Sequence, residues 1–135
     1  MSAGPNFAYD LCVNKVTPEQ RAGLDLRSWK VAITGAEPVR VETLDRFAAA
    51  FSPCGFRREA FYPCYGLAEA TLCVSGAPKV GRGPVVASFD RTALEQHRVV
   101  ATEPGGDAAP GLVGVGRALP GQRIAIVDPE TRLRC

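Results

Sequence analysis

This chain of 135 residues has one histidine, no Cys-x-x-Cys pair and no clustered charge of either sign. Five cysteines stand at 12, 54, 64, 73 and 135, an odd number, and with His97 alone to assist them they do not make a zinc site. They read as reduced thiols of a cytoplasmic protein, several of them serving as small buried hydrophobes. No run of about 18 apolar residues occurs, which excludes a helical membrane span. The opening MSAGPNFAYDLC has neither a basic stretch nor a long apolar one, so it is not a signal peptide. Sixteen basic residues face 14 acidic ones for a net charge of +2, and no basic cluster exceeds Arg57-Arg58. That balance excludes generic nucleic-acid binding. His97 has no serine or cysteine placed to partner it, so no nucleophilic pair can be argued.

What is present is apolar material for one modest core, at 46% hydrophobic residues. SAGPN reads as a small-residue turn. FAYDLCVNKV reads as a short helix capped near Asn6, with Phe7, Ala8, Leu11 and Cys12 on one face. A helical turn should start at Thr17-Pro18. Residues 31–33 are a β-rich run that stops at Gly35, and Pro38 suits the first turn of a following helix. In VRVETLDRFAAAF, Val41, Leu44, Phe47, Ala48 and Phe51 recur at helical steps, and the helix should end near Ser52-Pro53. Residues 56–62 read as extended. GAPKVGRGP and EPGGDAAPG read as loops, around a strand, a short helix capped by Asp90 and another strand. Residues 112–135 read as β structure, with Ile124, Ile126 and Asp128 on one face and a turn at 128–131. The return arm after that turn is short, so the chain is expected to be part of a longer polypeptide.

Strand, turn, helix and strand in that order give an α/β class with a mostly parallel sheet and flanking helices. Ligands of such sheets bind beyond the carboxyl ends of the strands, where Gly35–Pro38 and Tyr65–Glu69 fall. In FYPCYGLAEAT, Tyr65 can lay its ring on a planar base and Gly66 admits a ligand to the backbone. Glu69 can hold a hard cation such as Mg²⁺. A core tyrosine and a glutamate at a solvated helix start explain the same residues. In TGAEP, Gly35 and Ala36 can press on a base and Glu37 can cap the next helix; a plain strand-to-helix turn also suffices. The glycines of GLVGVGRALPG, at 111, 114, 116 and 121, lack phosphate-loop spacing and read as turn residues.

Taken together, SAGPNFAYDLC, TGAEPVRVETLDRFAAAF and FYPCYGLAEATLCVSG resemble successive blocks of fatty acyl-AMP ligases, members of the adenylate-forming superfamily. The resemblance covers essentially the whole chain. It implies an α/β part of the large N-terminal domain over 1–78 and a ligase-type insertion over 79–107. Residues 108–135 would then begin a β-barrel-like subdomain. It also implies that Gly35, Ala36, Glu37 and Pro38 flank the adenine of ATP or AMP. Tyr65 would stack on that base beside Gly66, Leu67 and Ala68, and Glu69 would be the Mg²⁺-associated carboxylate. Asn6 and Phe7 would lie on the acyl-pocket side. Many superfamily members have threonine where this chain has Ala68, a departure that fits the fatty acyl-AMP ligases. The implied reaction joins a fatty acid to AMP from ATP, releases pyrophosphate and passes the acyl group to the phosphopantetheine thiol of an acyl carrier protein. The implied setting is often the start of a polyketide or lipopeptide assembly line. The family's upstream phosphate loop, its ribose-binding aspartate and its C-terminal lysine have no counterpart here, so these residues by themselves are expected to be inactive. An acyl-CoA synthetase, an adenylation domain for an amino or aryl acid, and a non-catalytic binding module remain alternatives at this point.

Overall fold

The computed structural model describes residues 1–76, 83–104 and 111–135. The loops expected around 77–82 and 105–110 lie outside these residues. Three short strands form the parallel centre: β1 (Ser2–Gly4), β2 (Ala32–Thr34) and β3 (Phe61–Leu67). β1 pairs with β2, and β2 with β3, both in parallel register. β4 (Leu72–Gly76) returns antiparallel along β3, and β8 (Arg117–Ala118) joins β4, for the order β1-β2-β3-β4-β8. Pro63 just precedes the β3–β4 ladder, whose first pair is Cys64–Gly76, so its missing N–H interrupts no bond to β4.

Helices α1 (Asn6–Lys15) and α3 (Val41–Phe51) cover one face of this sheet; the five-residue α2 (Pro18–Ala22) lies between them in sequence. α2 starts as its sequence requires: Thr17 accepts from the Gln20 amide while the Gln20 side chain accepts from the Thr17 amide. α3 buries Leu44, Phe47 and Phe51 of the stripe its periodicity gave, together with Thr43, while Val41 and Ala48 stay half-buried, and it ends in a tight turn over Ser52–Cys54. Under it, Tyr9, Ala32, Phe56 and Phe61 complete a core centred on Phe47, whose ring lies 4.5 Å from Phe51 and 4.9 Å from Phe56. Polar ties fix the helix pair, with the Thr43 hydroxyl donating to Asp10 at 3.0 Å and Arg46 donating to Asp10 and Asn14, each at 3.1 Å.

A second sheet, β6-β5-β7, follows from β5 (Val86–Phe89), β6 (Ala101–Thr102) and β7 (Leu112–Val113). α4 (Arg91–Glu95) lies between β5 and β6, and Asp90 caps it by accepting from the Ala93 amide at 2.6 Å. This is the strand-helix-strand expected there. β7 also bridges Leu112 to Arg40, and Val113 packs on the core, so this sheet rests against the start of α3.

Several local expectations are corrected. Residues 2–4 are a strand rather than a turn, because β2 offers a parallel edge. α1 buries Asn6 and Tyr9 while Phe7 and Leu11 stay exposed, and its cap position is Pro5, with no side-chain cap. The long-range bonds of Asn6 and Tyr9 outweigh the apolar pattern. Residues 58–60 form a helical turn before β3 instead of extended chain. Pro38 lies before the helix, which starts at Val41, and neither Glu37 nor any other side chain caps it. Residues 124–126 form no strand; the short return arm offers only the Val127–Arg134 bridge and the Cys135 amide, which donates to the Ile126 carbonyl at 3.0 Å. The turn at 128–131 is present: Asp128 accepts from the Glu130 and Thr131 amides and the Thr131 hydroxyl. All five cysteines are free, but only Cys54 is fully buried; Cys12 and Cys135 are exposed.

Candidate functional site

A cavity of about 530 Å³ opens on the sheet face opposite the helices. Its floor alternates as strands do. Ala3 of β1 and Ile33 of β2 are paired neighbours, Ile33 is paired in turn with Tyr62 of β3, and Cys64 lies two residues further along that strand. Phe61 and Pro63 point the other way, into the core. One rim is the end of β1, Gly4 and Pro5. The other is Gly35 and Ala36, just beyond β2, with Tyr65 and Gly66 at the end of β3. The lining is almost wholly apolar, suited to an aromatic base or an alkyl chain.

Backbone geometry explains the two glycines. A Cβ on Gly35 would lie 2.7 Å from the Cys64 carbonyl oxygen, and one on Gly66 would lie 1.8 Å from that of Leu72. β3 and β4 close on each other at this point through an irregularity between Tyr65 and Gly66. Thr71 and Leu72 adopt φ values of 55° and 85°, a strained pair for residues with side chains. Ala36 is likewise left-handed, at φ 66°. Strain of this kind gathers where a loop must hold one shape.

The structure brings Gly35, Ala36, Tyr65 and Gly66 together around the cavity. Tyr65 is 49% exposed, so it is not a core tyrosine; its ring is free to meet a ligand. Glu37, Pro38, Leu67, Ala68 and Glu69 do not line the cavity. Glu37 follows the rim, and its Oε1 is buried without a hydrogen-bond partner among the described residues. Ala68 and Glu69 are exposed in the turn beyond β3. Asn6 is buried at 2% exposure and bonded to the 38–40 segment, and Phe7 is 68% exposed on the outer side of α1. The sequence reading did not single out Ala3, Ile33, Tyr62, Cys64 or Cys73 as lining. The alternation of Tyr62 and Cys64 against buried Phe61 and Pro63 is the signal that finds them.

Burial pushes the Cys64 thiol above its ordinary value, helped by the neighbouring Cys73. No acidic or basic side chain lines the cavity, so nothing there repels an anionic ligand. Among the described residues no group of His, Cys, Asp or Glu forms a metal cage. A single carboxylate such as Glu69 fits Mg²⁺ only where phosphate oxygens supply the remaining ligands.

The family described as AMP-binding enzyme matches residues 1–135. The chain belongs to the AMP-binding enzyme family. It is similar to the medium-chain-fatty-acid–[acyl-carrier-protein] ligase JamA of Moorena producens, at 48% identity over 99% of this chain and 23% of that protein. The corresponding ligase TtuA of Teredinibacter turnerae is 42% identical over 98% of this chain and 20% of its own length. Among solved structures, a fatty acyl-adenylate ligase from L. pneumophila in complex with acyl adenylate and pyrophosphate superposes with a TM-score of 0.91. It is 45% identical over 99% of this chain and 23% of that one. This AMP-binding chain thus spans roughly a fifth to a quarter of the length of the relatives it matches.

Proposed function

We propose that the protein carrying these residues is a fatty acid–AMP ligase. It joins a fatty acid carboxylate to the α-phosphate of ATP, releases pyrophosphate, and yields the acyl group to the phosphopantetheine thiol of an acyl carrier protein in the cytoplasm. The observation that carries this reading is the apolar cavity whose rim combines Tyr65, Gly35 and Ala36. The likeness to a ligase solved with acyl adenylate and pyrophosphate supports it.

In this reading Tyr65 stacks on the adenine, Gly35 and Ala36 bound its edge, and Gly66 and Leu67 present backbone to the nucleotide. Glu37 and Pro38 continue the adenine-flanking segment. Ala68 leaves room near the phosphates. Glu69 would hold Mg²⁺, which would supply charge neutralisation at the phosphates. The acyl-side role of Phe7 rests on the family resemblance alone, since Phe7 is exposed on α1 and does not line the cavity. Residues 79–107 act as an insertion that restrains a mobile domain and disfavours CoA as acceptor.

The test is to incubate the full-length protein carrying these residues with ATP, Mg²⁺ and a medium-chain fatty acid, with and without CoA, and to identify products by mass. Acyl-AMP that persists with CoA is expected. Acyl-CoA would make the protein a synthetase, and no acyl product at all would sink the fatty-acid reading. Tyr65→Ala should raise the KM for ATP by about 5- to 150-fold, the loss of roughly 1–3 kcal/mol of base stacking. The 135 residues alone should release no pyrophosphate, since they supply no phosphate loop or catalytic lysine.

A further inference from the structure

We propose that Asn6 is a positioning residue that ties the two rims of the cavity together and so fixes the Gly35–Ala36 edge. Resting on the adenylate reading above, it assigns Asn6 the task of holding that edge where the nucleotide base packs.

The geometry is specific. Asn6 is the first residue of α1, directly after the rim residues Gly4 and Pro5, and it is 2% exposed. Its Nδ2 donates to the Pro38 carbonyl at 2.8 Å, and its Oδ1 accepts from the Arg40 amide at 3.0 Å. These bonds span 32 and 34 residues of sequence, so they join separate parts of the fold rather than shaping a local turn. A carboxamide suits the task because it offers a neutral donor and a neutral acceptor side by side.

The segment it holds needs holding. Ala36 sits at φ 66°, a conformation that costs energy for any residue with a Cβ. Such a residue keeps its shape only when the chain is fixed on both sides of it. On one side β2 and the close approach of Gly35 to Cys64 do this. On the other side Arg40 bridges Leu112 and Val39 packs on the core, and among the described residues Asn6 adds the only side-chain hydrogen bonds to the backbone of 37–40. Loss of the Asn6 bonds loosens the segment between Ala36 and the Arg40–Leu112 bridge, which lets Ala36 relax away from the left-handed region and moves the rim.

The experiment compares wild type, Asn6→Ala and Asn6→Asp in the full-length protein carrying these residues, with Thr43→Ala as a control. Asn6→Asp keeps an acceptor for the Arg40 amide and loses the donor to Pro38, so it separates the two bonds, while Asn6→Ala removes both without burying a charge. Thr43→Ala cuts the tie from α3 to Asp10 of α1 without touching the 35–40 segment. Steady-state rates give the KM for ATP and for the fatty acid separately, and amide hydrogen exchange reports on residues 35–40. Both Asn6 variants are expected to raise the KM for ATP about tenfold, to leave the KM for the acid within about twofold, and to speed exchange at 35–40. Thr43→Ala should lower the melting temperature and move neither KM. A folded Asn6→Asp protein with wild-type exchange and KM for ATP overturns the proposal, as does a parallel rise of both KM values matched by Thr43→Ala. A wild type that forms no adenylate overturns the adenylate reading and the nucleotide role of Asn6 with it. In that case faster exchange in Asn6→Asp would mark the tie as purely structural.

Discussion

Tyr9 shows how one side chain can serve core and sheet together. Its ring lies edge-on to Phe47 and Phe61 at 5.0 and 5.3 Å, and its hydroxyl donates to the Ile33 carbonyl at 2.8 Å. Burial pushes its ionisation well above the ordinary tyrosine value, and Cys12 and Cys64 add to the shift. Because the folded state favours the neutral phenol, the associated stability is complete below the unfolded pKa and is lost as pH rises toward the folded one. The Cys64 thiol shifts in the same direction, so the two together predict that the melting temperature falls above about pH 9. Tyr9→Phe should cost about 1 kcal/mol at neutral pH through the lost hydrogen bond. It should also flatten part of the alkaline decline, read by thermal melts at a series of pH values. The same residue marks the limit of pattern reading. Sequence periodicity put Phe7 and Leu11 on the working face of α1, whereas the fold buries Asn6 and Tyr9. Their partners are more than twenty residues away, and no local window contains them.

The β3–β4 hairpin carries half of the cavity lining on a single element. Its turn places Thr71 and Leu72 at positive φ, and its strands approach so closely that only glycine fits at 66. Gly66→Ala should therefore force the strands apart, costing on the order of 2–3 kcal/mol or more. The check is chemical denaturation together with the reactivity of Cys64 and Cys73 toward a thiol reagent, which should both increase as the hairpin opens. Near-normal stability and unchanged thiol protection would show that the hairpin has slack. The sequence made Tyr65 and Gly66 candidates from chemistry alone. It did not reveal β4, because LCVSG is short and lacks clear alternation; pairing with β3 makes it a strand. α3 is the opposite case, since its apolar stripe is strong enough to set the helix and its buried face without help.

At the scale of the whole molecule, Phe47 organises the interior. Its ring meets those of Tyr9, Trp29, Phe51, Phe56 and Phe61, which arrive from α1, α3, β3 and the connecting segments. Phe47→Ala should cost about 3–5 kcal/mol. That is a large part of the roughly 5–15 kcal/mol typical of a folded domain, so a sharply reduced denaturation midpoint is expected. A midpoint close to wild type would mean that neighbouring rings collapse into the space. The apolar residues left exposed tell a related story: Leu72, Ile126 and Leu133 are 75%, 68% and 70% exposed. By itself the sequence determined the α/β class, the α3 stripe, the Asp90 cap, the Asp128 turn and the residue types able to meet a base. Those features depend on near neighbours along the chain, where helix period, capping and turn chemistry act. Only the tertiary structure decided that β1 is a strand, that Tyr65 stands free at a cavity rim, and that Asn6 bonds to Pro38 and Arg40. Each of those depends on groups brought together from distant parts of the chain, and hydrogen bonding and close packing across that distance leave no periodic trace in the sequence.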